Sequence, residues 1–169
     1  MNIYLSGMIG SGKTTIGLQL AKELVLPFYD LDREMDKILG YSFHKLVQEK
    51  GWVEFRELEY TICKKFAAYE NAIIGLGGGT VRYEWNIDVL KNSGKIILLN
   101  TPIEELIRRV TLSDRPRVYP ETTIEEDINK IWSSYKNLYI KSADIVYETN
   151  GKSLEIEVAE LKEKINGNS

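Results

Sequence analysis

A short apolar run, Asn2-Ile3-Tyr4-Leu5-Ser6, passes directly into Gly7-Met8-Ile9-Gly10-Ser11-Gly12-Lys13-Thr14, with Thr15 next. Few patterns constrain a chain as much as this one. Glycine lets the backbone curl so that successive N–H groups converge on one point, and such a nest suits phosphate oxygens. Behind it, Ile16, Leu20 and Leu24 recur at every fourth residue and fall on one face of a helix over 13–24. The positive end of that helix adds to the cradle. The bland alternative is a glycine turn that merely closes a strand. The strand before it and the helix after it are the flanks that a phosphate loop requires.

Lys13 can then reach the β- and γ-phosphates of a nucleotide, and the Thr14 hydroxyl can ligate Mg2+. Gly10, Ser11, Gly12, Lys13, Thr14 and Thr15 form the expected ATP-binding set. The rest of the chain agrees with this start. Short apolar segments at 27–29, 72–76, 95–99 and 145–147 alternate with helical patterns at 33–39, 43–49, 53–69, 103–110, 123–139 and 154–165. Thr101-Pro102-Ile103-Glu104 and Thr123-Ile124-Glu125-Glu126 both read as capped helix starts. Strands alternating with helices predict a three-layer α-β-α fold around a parallel sheet of about five strands, in one domain over 1–169. Ligands of such sheets gather at the carboxyl ends of the strands.

The 169 residues suffice for a real core, and a net charge of −3 offers no basic surface for nucleic acid or a membrane. No stretch is long and apolar enough to cross a bilayer. Cys63 is the single cysteine, so no disulfide can form within the chain; a packing thiol in a reducing cytoplasm is expected. His44, the single histidine, falls in a helical stretch away from every motif.

Two acids, Asp30 and Asp32, close the second apolar segment. In extended chain, residues two apart face the same side. One carboxylate can hold Mg2+ through water while the other accepts a hydrogen bond from a substrate hydroxyl and aims it. Arg56, in Phe55-Arg56-Glu57-Leu58-Glu59, offers a planar fork suited to a carboxylate; a helix-surface salt bridge to Glu57 or Glu59 is the alternative. Gly77-Gly78-Gly79 after a buried strand is costly unless backbone must approach something closely.

With Asp114-Arg115-Pro116, these segments resemble, in order and over nearly the whole length, the shikimate kinases, a family of P-loop kinases. The resemblance implies that Asp30 serves the metal and Asp32 the acceptor hydroxyl. It gives Arg56 the acceptor carboxylate, Gly77, Gly78 and Gly79 the ring hydroxyls, and Phe55 a place on the pocket wall. Arg115 matches a lid arginine on a loop at about 110–123, which would close over the reacting phosphate and exclude water. Arg108 or Arg109 resembles an arginine on the adenine side, and Asn150-Gly151-Lys152 resembles the loop that borders adenine, with Asn150 and Lys152 as contacts.

The chain departs from the family at one place. A second carboxylate-binding arginine is expected where Tyr135 stands, and 133–139 holds no arginine. Tyr135 could donate one bond and Lys136 could lend a charge, though an ammonium cannot reproduce a guanidinium fork. Gly51-Trp52 also replaces a glycine-acid pair. The reading is ATP-dependent phosphorylation of the 3-hydroxyl of shikimate by a cytoplasmic monomer, with Lys13, Asp32 and Arg115 as the catalytic set. Two other readings stand beside it. One is a kinase of another small hydroxylated acceptor, such as gluconate, a nucleotide or a modified shikimate. The other is a nucleotide-binding regulatory module without turnover.

Overall fold

The computed structural model describes residues 1–114, 117, 121–149 and 151–167. Its strands are β1 (Asn2–Ser6), β2 (Phe28–Asp30), β3 (Ile73–Gly75), β4 (Gly94–Asn100) and β5 (Ile145–Glu148). All neighbours pair in parallel, in the order β2-β3-β1-β4-β5. Parallel neighbours need crossovers, and helices supply them: α1 (Lys13–Leu24), α2 (Leu31–Leu39), α3 (Phe43–Lys50), α4 (Trp52–Ala67), α5 (Glu84–Lys91), α6 (Ile103–Thr111), α7 (Ile124–Ser142) and α8 (Leu154–Gly167).

Alternation along the strands divides the core into two layers. Tyr4, Ile96 and Leu98 join a cluster with Met35, Ile62 and Phe66 from α2 and α4. Ile3, Leu5, Ile97 and Leu99 face the other way, onto Ile16 and Leu20 of α1 and Val158 and Leu161 of α8. A sheet buried on both faces needs apolar residues at successive positions, which is why these strands read as unbroken apolar runs. Cys63 is fully buried, and desolvation pushes its thiol far above the usual range. It is an inert packing group.

The predicted β1 and α1 appear with the predicted bounds, and the Thr123 start is a capping box, with the Thr123 hydroxyl accepting from Glu126 N at 3.1 Å. Three elements differ. Thr101 caps nothing: its hydroxyl pairs with that of Thr149 at 2.7 Å and α6 starts without a side-chain cap. The chain does not stay extended through Asp32. Asp30 is the N-cap of α2, its Oδ1 accepting from Arg33 N at 3.1 Å, and Asp32 lies in the first helical turn. After the three glycines the chain forms a 3₁₀ turn, Thr80–Arg82, and the unpredicted α5. Tyr83 at its head supplies no side-chain cap, so the start left no mark in the sequence.

Candidate active site

At the carboxyl ends of β1, β2 and β3 lies a cleft of about 980 Å³, with the loop 7–15 along one side. Gly12 caps α1 with φ 93°, a left-handed conformation that a side chain rarely tolerates, and no side-chain hydrogen bond among the described residues caps the helix. The first-turn amides of α1 therefore stay available to a ligand at the positive end of the helix. Lys13 bridges its own loop, Nζ donating to the carbonyls of Gly7 at 2.7 Å and Met8 at 3.0 Å. That holds the ammonium at the loop mouth. Among the described residues the buried Ser11 hydroxyl has no hydrogen-bond partner. Gly10, Ser11, Gly12, Lys13, Thr14 and Thr15 all line the cleft.

Thr14 Oγ1 donates to Asp30 Oδ2 at 2.8 Å, so the hydroxyl and carboxylate predicted for the metal meet at the end of β2. Among the described residues no three His, Cys, Asp or Glu side chains cluster as a protein-only metal cage. The Thr14 and Asp30 oxygens nevertheless fit Mg2+, which keeps most of its water and takes one or two protein ligands plus phosphate.

Asp32, in the first turn of α2, lines the same cleft, and a Cβ on Gly77 would come within 3.3 Å of its Oδ1. Arg56, on α4, lines this cleft as well. The expected salt bridge and the expected cleft position are both present: Arg56 Nη1 donates to Glu59 Oε1 at 2.9 Å, and Arg56 lines the cleft. The rings of Phe55, Tyr83 and Trp52 surround its guanidinium, with centroids at 4.8, 4.9 and 5.3 Å. Glu59 is fully buried and also accepts from Thr80 Oγ1 at 2.9 Å. One acid thus locks α4 to the turn after β3. Gly79 explains the third glycine, because a Cβ there would lie 2.8 Å from Arg56 Nη2. Gly77 and Gly78 also line the cleft, and the Gly78 carbonyl accepts the Tyr139 hydroxyl from α7.

On the far side of the loop, the two candidate arginines separate. Arg108 is exposed and grips Glu105 through Nε at 2.9 Å and Nη2 at 2.6 Å, off the cleft. Arg109 lines the cleft and donates to the Gly10 carbonyl at 3.0 Å. These guanidiniums, Arg108 first, hold the Glu105 carboxyl down at about 2. Lys152 lines the cleft and pairs with Glu160 at 2.8 Å. Arg115 and Asn150 lie outside the described residues, as do several positions of the expected lid.

Two predicted substrate residues are not brought into the cleft. Tyr135 sits behind its lining, with its ring under Arg82, and Lys136 is exposed, Nζ 5.9 Å from the Trp132 centroid. Sequence reasoning also missed residues that do line it. His44 and Trp52 are on the wall, as are Arg82 and the buried Glu157, whose carboxyl is raised by desolvation. Helical periodicity gave no reason to place His44 there; its ring is stacked on Phe43, centroids 4.2 Å apart. Glu59 also lines the cleft, and the sequence showed it only as the end of the Phe55–Glu59 segment and a salt-bridge partner of Arg56.

A phosphate loop at the end of β1, with a carboxylate and an arginine lining the same cleft, defines a P-loop kinase of a small molecule. The family model described as shikimate kinase matches residues 9–166. A shikimate kinase of Clostridium botulinum is 35% identical over 98% of both chains, and one of Aquifex aeolicus 32% identical over 100% of this chain and 98% of its own. The solved shikimate kinase of Acinetobacter baumannii, in complex with shikimate, superposes with a TM-score of 0.90 at 27% identity, covering 99% of this chain and 94% of that one. The chain belongs to the shikimate kinase family. It is a kinase.

Proposed function

We propose that this enzyme transfers the γ-phosphoryl group of ATP to the 3-hydroxyl of shikimate, giving shikimate 3-phosphate and ADP. The observation that carries this is the shared cleft: Lys13 and the Thr14–Asp30 pair on one side, Asp32, Arg56 and Gly79 on the other.

The amides of the loop 7–15 and the start of α1 hold the phosphate tail, while Arg109 and Lys152 border the rest of the nucleotide. Lys13 stabilises charge on the transferring group. Thr14 and Asp30 would hold Mg2+, which when bound neutralises phosphate charge and keeps the phosphate oxygens aligned. Arg56 fixes the acceptor carboxylate, the glycine turn lets the ring approach the backbone, and Asp32 accepts the proton of the attacking hydroxyl. Arg115, on the segment 110–123, is assigned to the reacting phosphate from the lid. The described residues that line the cleft come from one chain, which supports a monomer. A cytoplasmic step in aromatic amino acid biosynthesis goes with these substrates.

A coupled ADP-release assay with shikimate, at saturating ATP and Mg2+, is the test. Steady turnover is expected. Undetectable turnover would remove shikimate as the acceptor.

A further inference from the structure

A second guanidinium faces the acceptor end of the cleft. Arg82 ends the 3₁₀ turn, its amide donates to the Gly79 carbonyl at 3.1 Å, and its side chain lines the cleft. Its Nε is buried without a hydrogen-bond partner among the described residues, a condition it shares with Nε of Arg56. Among the described residues it forms no ion pair, whereas Arg56 has Glu59. Its guanidinium carbon stands 4.4 Å from the centroid of the Tyr135 ring. Both arginines also act on one and the same hydroxyl, that of Tyr139.

These observations converge on an anion. A buried N–H with nothing to donate to is destabilising until an acceptor arrives. Of the two guanidiniums, Arg56 is paired with Glu59, while Arg82 has no carboxylate partner among the described residues. Arg56 already has one Nη committed to Glu59, so its free edge is narrowed. Arg82 brings a second set of donors from a different element, held flat by an aromatic face.

We propose that Arg82 is a second anchor for the acceptor carboxylate, closing a clamp with Arg56 from the turn after β3, with Tyr135 as its support. The proposal rests on the acceptor being shikimate. It assigns to Arg82 the charge that Lys136, exposed on α7, does not bring to the cleft.

The test compares wild type, Arg82→Ala and Arg82→Lys with two acceptors, shikimate and its methyl ester, which keeps the ring hydroxyls and lacks the charge. For Arg82→Ala the KM for shikimate rises about tenfold to a hundredfold, while the KM for ATP and the KM for the ester change about twofold or less. Arg82→Lys recovers part of the preference for the acid. The acid-to-ester ratio is internal to each variant, so a partly unfolded preparation still reports it. An unchanged KM for shikimate in Arg82→Ala, or an equal loss for acid and ester, overturns the clamp. A wild type that turns over ATP with some other acceptor but not with shikimate overturns the acceptor reading, and the clamp with it.

Discussion

Gly79→Ala should damage one substrate's binding and leave the other's intact. Gly79 has φ −107° and ψ 3°, which alanine adopts without strain, so the backbone is not at issue. The added Cβ would stand 2.8 Å from Arg56 Nη2 and 3.0 Å from Nη1. Relieving that overlap needs a movement of about half an ångström or more. The guanidinium has little room to give it, being tied to Glu59 at 2.9 Å and enclosed by the Phe55, Tyr83 and Trp52 rings. A displaced fork forfeits most of a charged hydrogen-bonding contact, about 1.5–3 kcal/mol, which is about tenfold to a hundredfold in affinity. The coupled ADP-release assay should therefore show a KM for shikimate raised by that factor, with the KM for ATP nearly unchanged and a melting temperature lowered by a few degrees from the overlap. A KM for shikimate within twofold of wild type would refute the reasoning about Arg56. So would a parallel rise for ATP, which would mean that the turn as a whole had moved.

Glu59→Ala leaves the Arg56 charge without its partner and also strips an acceptor from Thr80; urea unfolding should show a loss of about 3–5 kcal/mol. Asp32→Asn keeps the shape but cannot take up a proton, so kcat should fall by about a hundredfold or more while ATP still protects against unfolding. Glu105 is held at about 2, below its ordinary value of 4.5, so its contribution to stability is complete above pH 4.5 and disappears as the pH falls toward 2. Glu105→Gln should be less stable than wild type at neutral pH, and the gap between their melting temperatures should close across that acid range.

The parts of this molecule that sequence revealed are those in which local chemistry alone decides. The phosphate loop needs glycine where φ is positive, and Thr123 with Glu126 closes its own capping box, so both were readable without a partner elsewhere in the chain. Thr101 shows the limit of such logic. Its hydroxyl was claimed by Thr149, 48 residues away, and the local cap lost. Asp32 was given the right cleft for an incomplete reason. The acid two residues before it caps α2, which turns Asp32 inward from a helix rather than from a strand end. Arg82 carries no motif at all, and Glu59 closes the Phe55–Glu59 segment without any sign there of its second partner, Thr80. Their importance comes from tertiary neighbours, a ring on α7 for one and the turn after β3 for the other, and no spacing rule reports those.

Glu59 also bears on selectivity. An arginine that swings freely gives up about 2 kcal/mol of rotamer freedom when it seizes a ligand. Arg56 has already surrendered much of it, because Glu59 and three rings immobilise the fork as the chain folds. Docking then meets a preset receptor, and that entropic toll is absent from the encounter. The same stiffness works as a filter. An acid whose carboxylate projects at another angle finds an arginine that will not turn to greet it.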